Sequence, residues 1–451
     1  ATRELAGQLG LNRTTISSAY AMLEESGLLE GHVGRGSFIA RKFQAANTEK
    51  MDWDALLPPL SPLPHTAHGV EISFASSRPP EDAFPLAQFR RLSKGVIDGP
   101  DAAEILQLGS PHGYLPLRRF LLAQAADSGI ARSGDDLIVT NGCQQALDLL
   151  AWLLVSDKQA VAVEDPVYHG LLRVFTRARA KIIPVPVDSA GIDVDLLREV
   201  VEEHRPRVLV VTPSFQNPTG ATLPLERRKA IVEIAQRRGI VLVENDIYSD
   251  LRYRGKALPT LKELDASGQT ILLRSYSKVS FPGLRVGWVI APRPVVARLA
   301  EIKQISDLHS DQLSQAILLR FAQSGELDRH LDRTRRAGLE RLNAVTDACE
   351  RFLPPGTKFT RPDGGMNLWI ELPAPLTAAR LLGSAQARGV DFLPGPYFSG
   401  GRAHERGLRI SFGGLSPAQI KRGIQILGEA AAAELSASNN PADFEMAAAL
   451  V

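Results

Sequence analysis

Hydrophobic residues recur every three to four positions in the first part of the chain. This spacing predicts one helix over Thr2 to Leu9 and a second from Arg13 to about Ser26, with Asn12 as the N-cap of the second. Two short apolar pieces follow, separated by a glycine-rich stretch at residues 31–36 that predicts a hairpin. We therefore expect residues 1–40 to form a small unit of two helices and a hairpin.

After this unit the pattern changes twice. Residues 41–70 are rich in proline and poor in periodic apolar positions, so they predict an extended linker. From residue 71 onward, short apolar strands alternate with amphipathic helices such as Gln144–Val155 and Leu225–Arg238. The predicted buried strands are Leu137–Thr140, Ala160–Val163, Lys181–Val187, Val208–Val211, Ile240–Val243, Ile271–Arg274 and Val286–Ile290.

Continuous β-branched strands are typical of a parallel sheet that is covered on both faces. The sequence thus predicts an α/β fold with a mostly parallel seven-stranded large part at about residues 115–325. Mixed helices and strands after residue 330 predict a smaller α+β part, built from about 71–114 and 330–435. We expect residues 436–451 to be a tail.

Composition excludes several classes of protein. Of the 451 residues, 44% are hydrophobic and 23% charged, which is typical of a globular protein, and the net charge of +2 favours no particular partner. Only Cys143 and Cys349 could pair, so we expect a reducing, cytoplasmic location. No apolar run is long enough for a membrane span, no signal peptide opens the chain, and we expect no membrane partner or metal site. Because the sequence begins with Ala and an immediate helix, we expect it to be a fragment that lacks its first helix.

A lysine beside two hydroxyls is the strongest chemical signal. Lys278 follows Ser275 and Ser277, and Arg285 stands seven residues later. A lysine can form a Schiff base with an aldehyde, while hydroxyls and an arginine can hold a phosphate. Pyridoxal 5'-phosphate (PLP) has both groups on one ring. An ordinary surface loop is the alternative interpretation.

Further polar groups follow the ends of other predicted strands, where α/β folds bind ligands. The backbone of Gly142, Cys143 and Gln144 opens a helix and could bind a phosphate. Tyr168 offers a face for ring stacking. The other candidates are Asn217 for a phenolic oxygen, Asp246 for a pyridine nitrogen, Tyr248 for the phenolic oxygen and Arg409 for a substrate carboxylate. Each alone has a structural alternative: a tight turn, a half-buried tyrosine, a helix cap or an ion pair.

Taken together and in this order, these residues resemble the fold-type I, aspartate-aminotransferase-like PLP enzymes over roughly residues 71–435. The resemblance implies that Lys278 forms the Schiff base, Asp246 pairs with the ring nitrogen, and Tyr248 acts with them in catalysis. It also implies that Asn217 and Tyr248 hold the phenolic oxygen and that Tyr168 stacks on the ring. The phosphate would be held by Gly142, Cys143, Gln144, Ser275, Ser277 and Arg285, and the substrate by Asn217 and Arg409. One departure is Leu108, which stands where this group often has a tyrosine that reaches the neighbouring subunit's phosphate.

The N-terminal unit resembles the winged helix-turn-helix of the GntR superfamily. The shared pieces are Thr2–Ala6, the Arg13-Thr14-Thr15 helix start and the Gly34-Arg35-Gly36 wing. The resemblance implies that Arg3, Arg13, Thr14 and Thr15 line the major groove of double-stranded DNA and that Arg35 enters the minor groove. Local charge adds little, since residues 1–42 hold five basic against four acidic side chains. A small helical dimerisation arm is the alternative.

Both resemblances together are those of the MocR-type regulators, which bind DNA as homodimers. They imply a transcriptional regulator that senses PLP or an amine or amino-acid ligand at Lys278. The alternatives are an active aminotransferase with a DNA-binding head, and a biosynthetic enzyme with an N-terminal arm that does not bind DNA.

Overall fold

The computed structural model describes residues 2–32, 36–40, 51–57 and 69–438. They fall into two compact units that divide between Pro64 and His65. In the first unit the elements are α1 (Thr2–Leu9), α2 (Arg13–Glu25), β1 (Leu29–His32), β2 (Gly36–Ile39) and α3 (Trp53–Leu56).

The first unit has the two helices and the hairpin that the pattern predicts. The side chain of Asn12 accepts a hydrogen bond from the backbone N–H of Thr14 at 3.1 Å, which confirms the predicted N-cap. Ala6 and Ile16 are the buried side chains of α1 and α2. Strands β1 and β2 pair antiparallel. Arg35, the predicted wing arginine, lies outside the described residues.

The second unit begins with β3 (Ile72–Ser73) and contains most of the chain. Its remaining strands are β4 (Asp135–Asn141), β5 (Ala160–Asp165), β6 (Lys181–Asp188), β7 (Gly191–Ile192), β8 (Val208–Val211), β9 (Val241–Asn245), β10 (Thr270–Ser275), β11 (Val286–Pro292), β12 (Lys358–Phe359), β13 (Asn367–Glu371), β14 (Val390–Asp391), β15 (Leu393–Pro394) and β16 (Gly407–Ser411). Its helices are α4 (Leu86–Ile97), α5 (Ala102–Ile105), α6 (Leu115–Asp127), α7 (Gly142–Leu154), α8 (His169–Arg177), α9 (Val194–His204), α10 (Leu225–Arg238), α11 (Leu261–Leu264), α12 (Arg293–Asp307), α13 (Gln312–Gln323), α14 (Glu326–Phe352), α15 (Ala378–Gln386) and α16 (Pro417–Ser438).

The large sheet has the order β4-β11-β10-β9-β8-β5-β6-β7. Pairing is parallel from β10 through β9, β8 and β5 to β6, whereas β11 is antiparallel to both of its neighbours. All seven predicted strands are present. The eighth, β7, is a two-residue strand that turns back on β6, and it is too short to give a periodic signal.

Helices cover both faces of this sheet, as the apolar strands predict. Helices α7, α8 and α12 share a core with Val243 of β9, while α9 and α10 share another core with its neighbour Leu242. Successive residues of β9 therefore point to opposite faces, as strand geometry requires. This alternation decides which side chains reach the functional site.

The smaller part packs an antiparallel sheet, β12-β13-β16-β15, against α14, α15 and α16. We expected residues 71–114 to belong to this smaller part. Its core includes Ile72 and Phe74 but does not extend to residue 114. Instead, Val96 of α4 and Ile105 of α5 are buried against Ile317 of α13. The expected boundary was wrong because the apolar faces of α4 and α5 find their partner on α13.

Candidate functional site

A cavity of about 330 Å³ opens where several strands of the large sheet end. It brings together side chains from the large part, from β16 of the smaller part and from the segment after β3. Of the residues predicted for the site, those that line it are Cys143, Gln144, Tyr168, Asn217, Tyr248, Ser275, Ser277, Lys278, Arg285 and Arg409.

Lys278 is the central basic group of this cavity. Its Nζ donates a hydrogen bond to the backbone oxygen of Ser77 at 2.6 Å and lies 5.7 Å from the centroid of the Tyr248 ring. Tyr248 is buried, and its hydroxyl lies 3.3 Å from the Oγ of Ser77. Burial acts to raise the pKa of Tyr248, but the Lys278 ammonium and the Ser77 hydrogen bond outweigh it and lower that pKa below the ordinary value.

One end of the cavity is a cradle at the start of α7. Gly142 has a φ of +75°, which favours glycine. A Cβ at this position would overlap the Arg285 guanidinium, whose Cζ would be only 2.9 Å away. Arg285 also donates through Nη2 to the backbone oxygen of Asn141 at 3.3 Å. An arginine thus lies beside the free N–H groups of a helix start, which is a favourable place for a phosphate.

Two serines shape the same end. The Oγ of Ser275 donates to the backbone oxygen of Val286 at 3.0 Å and lies 2.8 Å from the Oγ of Ser277. The backbone N–H of Ser277 donates back to the Oγ of Ser275 at 2.9 Å. Burial raises the pKa of the Cys143 thiol to about 12, so that thiol stays neutral and only its backbone N–H suits an anion.

The opposite end is dominated by Arg409, which is only 3% exposed. Its Nη1 donates to the Oδ1 of Asn217 at 3.1 Å and its Nη2 donates to the backbone oxygen of Ala75, while Nε has no hydrogen-bond partner. Burial lowers the pKa of Arg409 to about 10, so it remains a cation at neutral pH. No carboxylate is among the described residues that line the cavity, which leaves the charge of Arg409 available to an anionic ligand.

Sequence comparison gives the family. Residues 89–427 match the model for aminotransferase class I and II. The chain belongs to this family. It is 33% identical to aromatic-amino-acid aminotransferase 1 of Thermococcus litoralis over 79% of this chain and 87% of that protein. It is also 30% identical to the probable rhizopine catabolism regulatory protein MocR of Rhizobium meliloti, over 99% of this chain and 92% of that protein.

A solved relative has the same fold. The α-aminoadipate aminotransferase LysN of Thermus thermophilus, complexed with N-(5'-phosphopyridoxyl)-L-leucine, superposes with a TM-score of 0.76 and 34% identity. The match covers 82% of this chain and 94% of LysN. The second unit is therefore a fold-type I, aminotransferase-like α/β unit with a large mixed sheet.

The residues present fit the cofactor that aminotransferase class I and II membership supports, PLP. The Gly142 cradle beside Arg285 suits its phosphate, and Lys278 suits its aldehyde. The unpartnered Nε of Arg409 suits the carboxylate of an amino acid. These features are built from different elements, so their meeting in one cavity does not follow from the local pattern of any one of them.

Asp246 does not fit the role that we expected for it. Its Oδ2 accepts hydrogen bonds from Nε and Nη2 of Arg274 at 2.9 and 2.6 Å and from the Oγ of Ser249 at 2.9 Å. It lines a separate depression with Arg274 and is not part of the cavity that contains Lys278. The expectation that Asp246 faces the pyridine nitrogen is corrected accordingly, because strand alternation turns Asn245, and not Asp246, toward the cavity.

Sequence reasoning missed several residues that line the cavity, among them Ser77, His169 and Asn245. The Nδ1 of His169 has no hydrogen-bond partner, and burial lowers the pKa of this histidine to about 4, so it is neutral near pH 7. Ser77 is distant in sequence from every motif, and no local pattern indicates it. The two-residue period of β9 was the signal that could have found Asn245, because it places Asn245 on the same face as Val243 and opposite to Leu242.

No helix among the described residues is long and apolar enough to cross a membrane.

Proposed function

We propose that this chain is a PLP-binding and DNA-binding transcriptional regulator that senses PLP or an amine or amino-acid ligand at Lys278. The observation that supports it most is the extent of the similarity. The regulatory relative is similar over 99% of this chain, whereas the aminotransferase of Thermococcus litoralis is similar over 79%. A relative that also has a matching N-terminal unit would be similar over the larger share of this chain, as the regulatory relative is.

In this proposal the first unit binds double-stranded DNA. Arg13, Thr14 and Thr15 are exposed at the start of α2, and Arg3 is exposed on α1. The start of a recognition helix is where side chains contact base edges, and arginines also bind phosphates. Arg35 would reach the minor groove from the wing.

The second unit would be the sensor. Lys278 would hold the aldehyde of the cofactor, which withdraws electrons from an amine bound to it. Tyr168 would stack on the ring, and Asn217 and Tyr248 would bind the phenolic oxygen. The remaining groups would bind the phosphate, namely Gly142, Cys143, Gln144, Ser275, Ser277 and Arg285. Arg409 and Asn217 would bind the carboxylate of an amino-acid ligand.

The regulator would act as a homodimer in the cytoplasm. Leu106, Leu108, Ile305 and Leu308 are each more than half exposed. Large apolar side chains in such numbers are typical of a surface that another chain covers. Leu108 cannot donate a hydrogen bond, so in this dimer it would not replace a tyrosine at the neighbouring phosphate.

The test is a gel-shift titration of the protein, loaded with PLP, on the DNA upstream of its gene. We expect a shift that changes with added PLP or amine. Arg13→Ala should weaken the binding by about 1–3 kcal/mol, as expected for one lost base contact in the major groove. Arg298→Ala is the matched control, because Arg298 is an exposed helix arginine of the second unit. If no DNA shifts although the protein is folded, the proposal that this chain is a regulator is contradicted.

The second candidate is an active aminotransferase for an α-amino acid. The gathering of Lys278, Tyr248, Asn217 and Arg409 in one cavity favours it. In this candidate Lys278 would move a proton at the Cα of a bound amino acid. Multiple-turnover conversion of an amino acid and a keto acid would support this candidate, and a single slow conversion without turnover would contradict it.

A further inference from the structure

Asn245 is the last residue of β9, at the edge of the sheet where the cavity lies. It is 4% exposed and lines the cavity together with Lys278 and Tyr248. In the parallel pairing of β9 with β10 it lies opposite Leu273. Val243 and Leu273 both belong to the core beneath α7, so the side chain of Asn245 points to the same face as the start of α7.

The Oδ1 of Asn245 is buried and has no hydrogen-bond partner. Such a group costs about 1–3 kcal/mol unless a ligand satisfies it. The neighbouring buried side chains of this strand end are satisfied: Glu244 accepts from the backbone N–H groups of Leu261 and Lys262, and Asp246 pairs with Arg274. The unpaired Oδ1 at the floor of a ligand cavity therefore indicates a polar atom of the ligand. A half-turn of the side-chain amide exchanges Oδ1 and Nδ2, so Asn245 can present either an acceptor or a donor to that atom.

The lining of the cavity supplies no negative charge to that atom. Its charged members are the cations Arg78, Lys278, Arg285 and Arg409, and among the described lining residues there is no carboxylate. Arg78 is paired with Glu81, which does not line the cavity. The other titratable groups that face it are Tyr168, Tyr248, Cys143 and His169. Burial keeps the Cys143 thiol and the His169 ring neutral. The carboxylates of Asp246 and Glu244 do not line the cavity. The charge of Asp246 is balanced by its ion pair with Arg274.

We propose that Asn245 is the residue that faces the pyridine nitrogen of the cofactor, and that this nitrogen is unprotonated in the resting protein. The proposal depends on the cofactor position of the proposed function but not on DNA binding. With its amide turned so that Nδ2 takes the place of Oδ1, Asn245 can donate Nδ2–H to an unprotonated ring nitrogen. A carboxylate has no such donor and would favour the protonated, cationic ring. The cations that line the same cavity act in the same direction as the amide.

The consequence concerns the choice between sensor and enzyme. PLP serves as an electron sink most strongly when its ring nitrogen is protonated. Binding and release of an amine at Lys278 do not require that sink, but removal of the Cα proton does. Asn245 thus favours ligand exchange over transamination, which is the behaviour of a receptor.

The experiment is ¹⁵N NMR of the protein loaded with PLP labelled at the ring nitrogen. We expect the chemical shift of an unprotonated pyridine at neutral pH in the unmodified protein, and that of a protonated ring in Asn245→Asp. A carboxylate beside a cation raises its pKa by about 1–3 units. Since each unit is tenfold in protonated fraction, the rate of a single transamination half-reaction should rise about 10- to 1,000-fold in the variant.

Asp246→Asn is the matched control, with one carboxylate changed at the neighbouring position. It should leave the ring nitrogen signal unchanged, because Asp246 faces Arg274. A protonated ring in the unmodified protein would overturn the proposal, as would a change of ring signal in Asp246→Asn without one in Asn245→Asp. The measurement on the unmodified protein holds even if a variant fails to fold. A gel shift on the same samples tests DNA binding separately, so a failed regulator and a failed Asn245 assignment give different results.

Discussion

Gly142→Ala tests whether the start of α7 and Arg285 form a phosphate cradle. The added Cβ would overlap the Arg285 guanidinium, and the backbone φ of +75° is unfavourable for alanine. The backbone term costs about 1–2 kcal/mol of stability. Loss of one charge-assisted hydrogen bond costs about 1.5–3 kcal/mol, and we take the lower end because Arg285 is exposed to solvent. The affinity for PLP should therefore fall about tenfold, since about 1.4 kcal/mol corresponds to a factor of ten.

The assay is a titration of the cofactor-free protein with PLP, followed by absorbance, and a second titration with pyridoxal, which lacks the phosphate. Gly283→Ala is the control, because a Cβ there meets no atom within 4 Å and its loop also leads to Arg285. The variant should lose affinity for PLP but keep its affinity for pyridoxal. Equal losses for both ligands, or no loss for either, would refute the cradle.

Three more perturbations test the site and the fold. Lys278→Ala should abolish the visible absorbance of the lysine-linked cofactor, and survival of that band would disprove the assignment. Arg409→Gln should weaken the response to amino acids about tenfold or more but spare amines without a carboxylate, whereas Arg406→Gln, on the surface beside Glu371, should change neither. Hydrogen bonds outweigh burial and lower the pKa of Asp265, so its stabilising contribution is present above its ordinary pKa and is lost as pH falls through the lowered value. Asp265→Asn should thus cost about 1–3 kcal/mol in urea unfolding at pH 7 and less in acid, while exposed Asp157→Asn should cost little; equal losses at both pH values would contradict this.

The strands and their order along the chain could be predicted because buried parallel strands are apolar on both faces. Val208–Val211 and Ile271–Arg274 give this signal locally, and the structure confirms both. The same local signal does not show which distant helix or strand an element packs against. The burial of α4 and α5 against α13 depends on contacts between distant segments, so their assignment to the smaller part was wrong.

The site shows the same division. Lys278, Tyr248 and Arg409 could be found because strand ends in an α/β fold meet at one edge. Asp246 was chosen for its charge, although its position placed it on the face of Leu242 and Glu244. The charge of the side chain favoured Asp246, whereas the two-residue period of the strand favoured its neighbour Asn245. It is Asn245 that lines the cavity.

The segment of Ala75 to Ser77 has a consequence for how a signal could leave the cavity. Its carbonyl groups accept hydrogen bonds from Arg409 and Lys278, the two cations that a ligand would engage. An incoming amino acid is thus in competition with the protein's own backbone, and the chain reaches this backbone directly from the predicted linker over residues 41–70. Thermodynamic linkage then works in both directions: if a ligand that displaces this segment changes an equilibrium at the linker by some factor, the same change at the linker alters the affinity for the ligand by that factor.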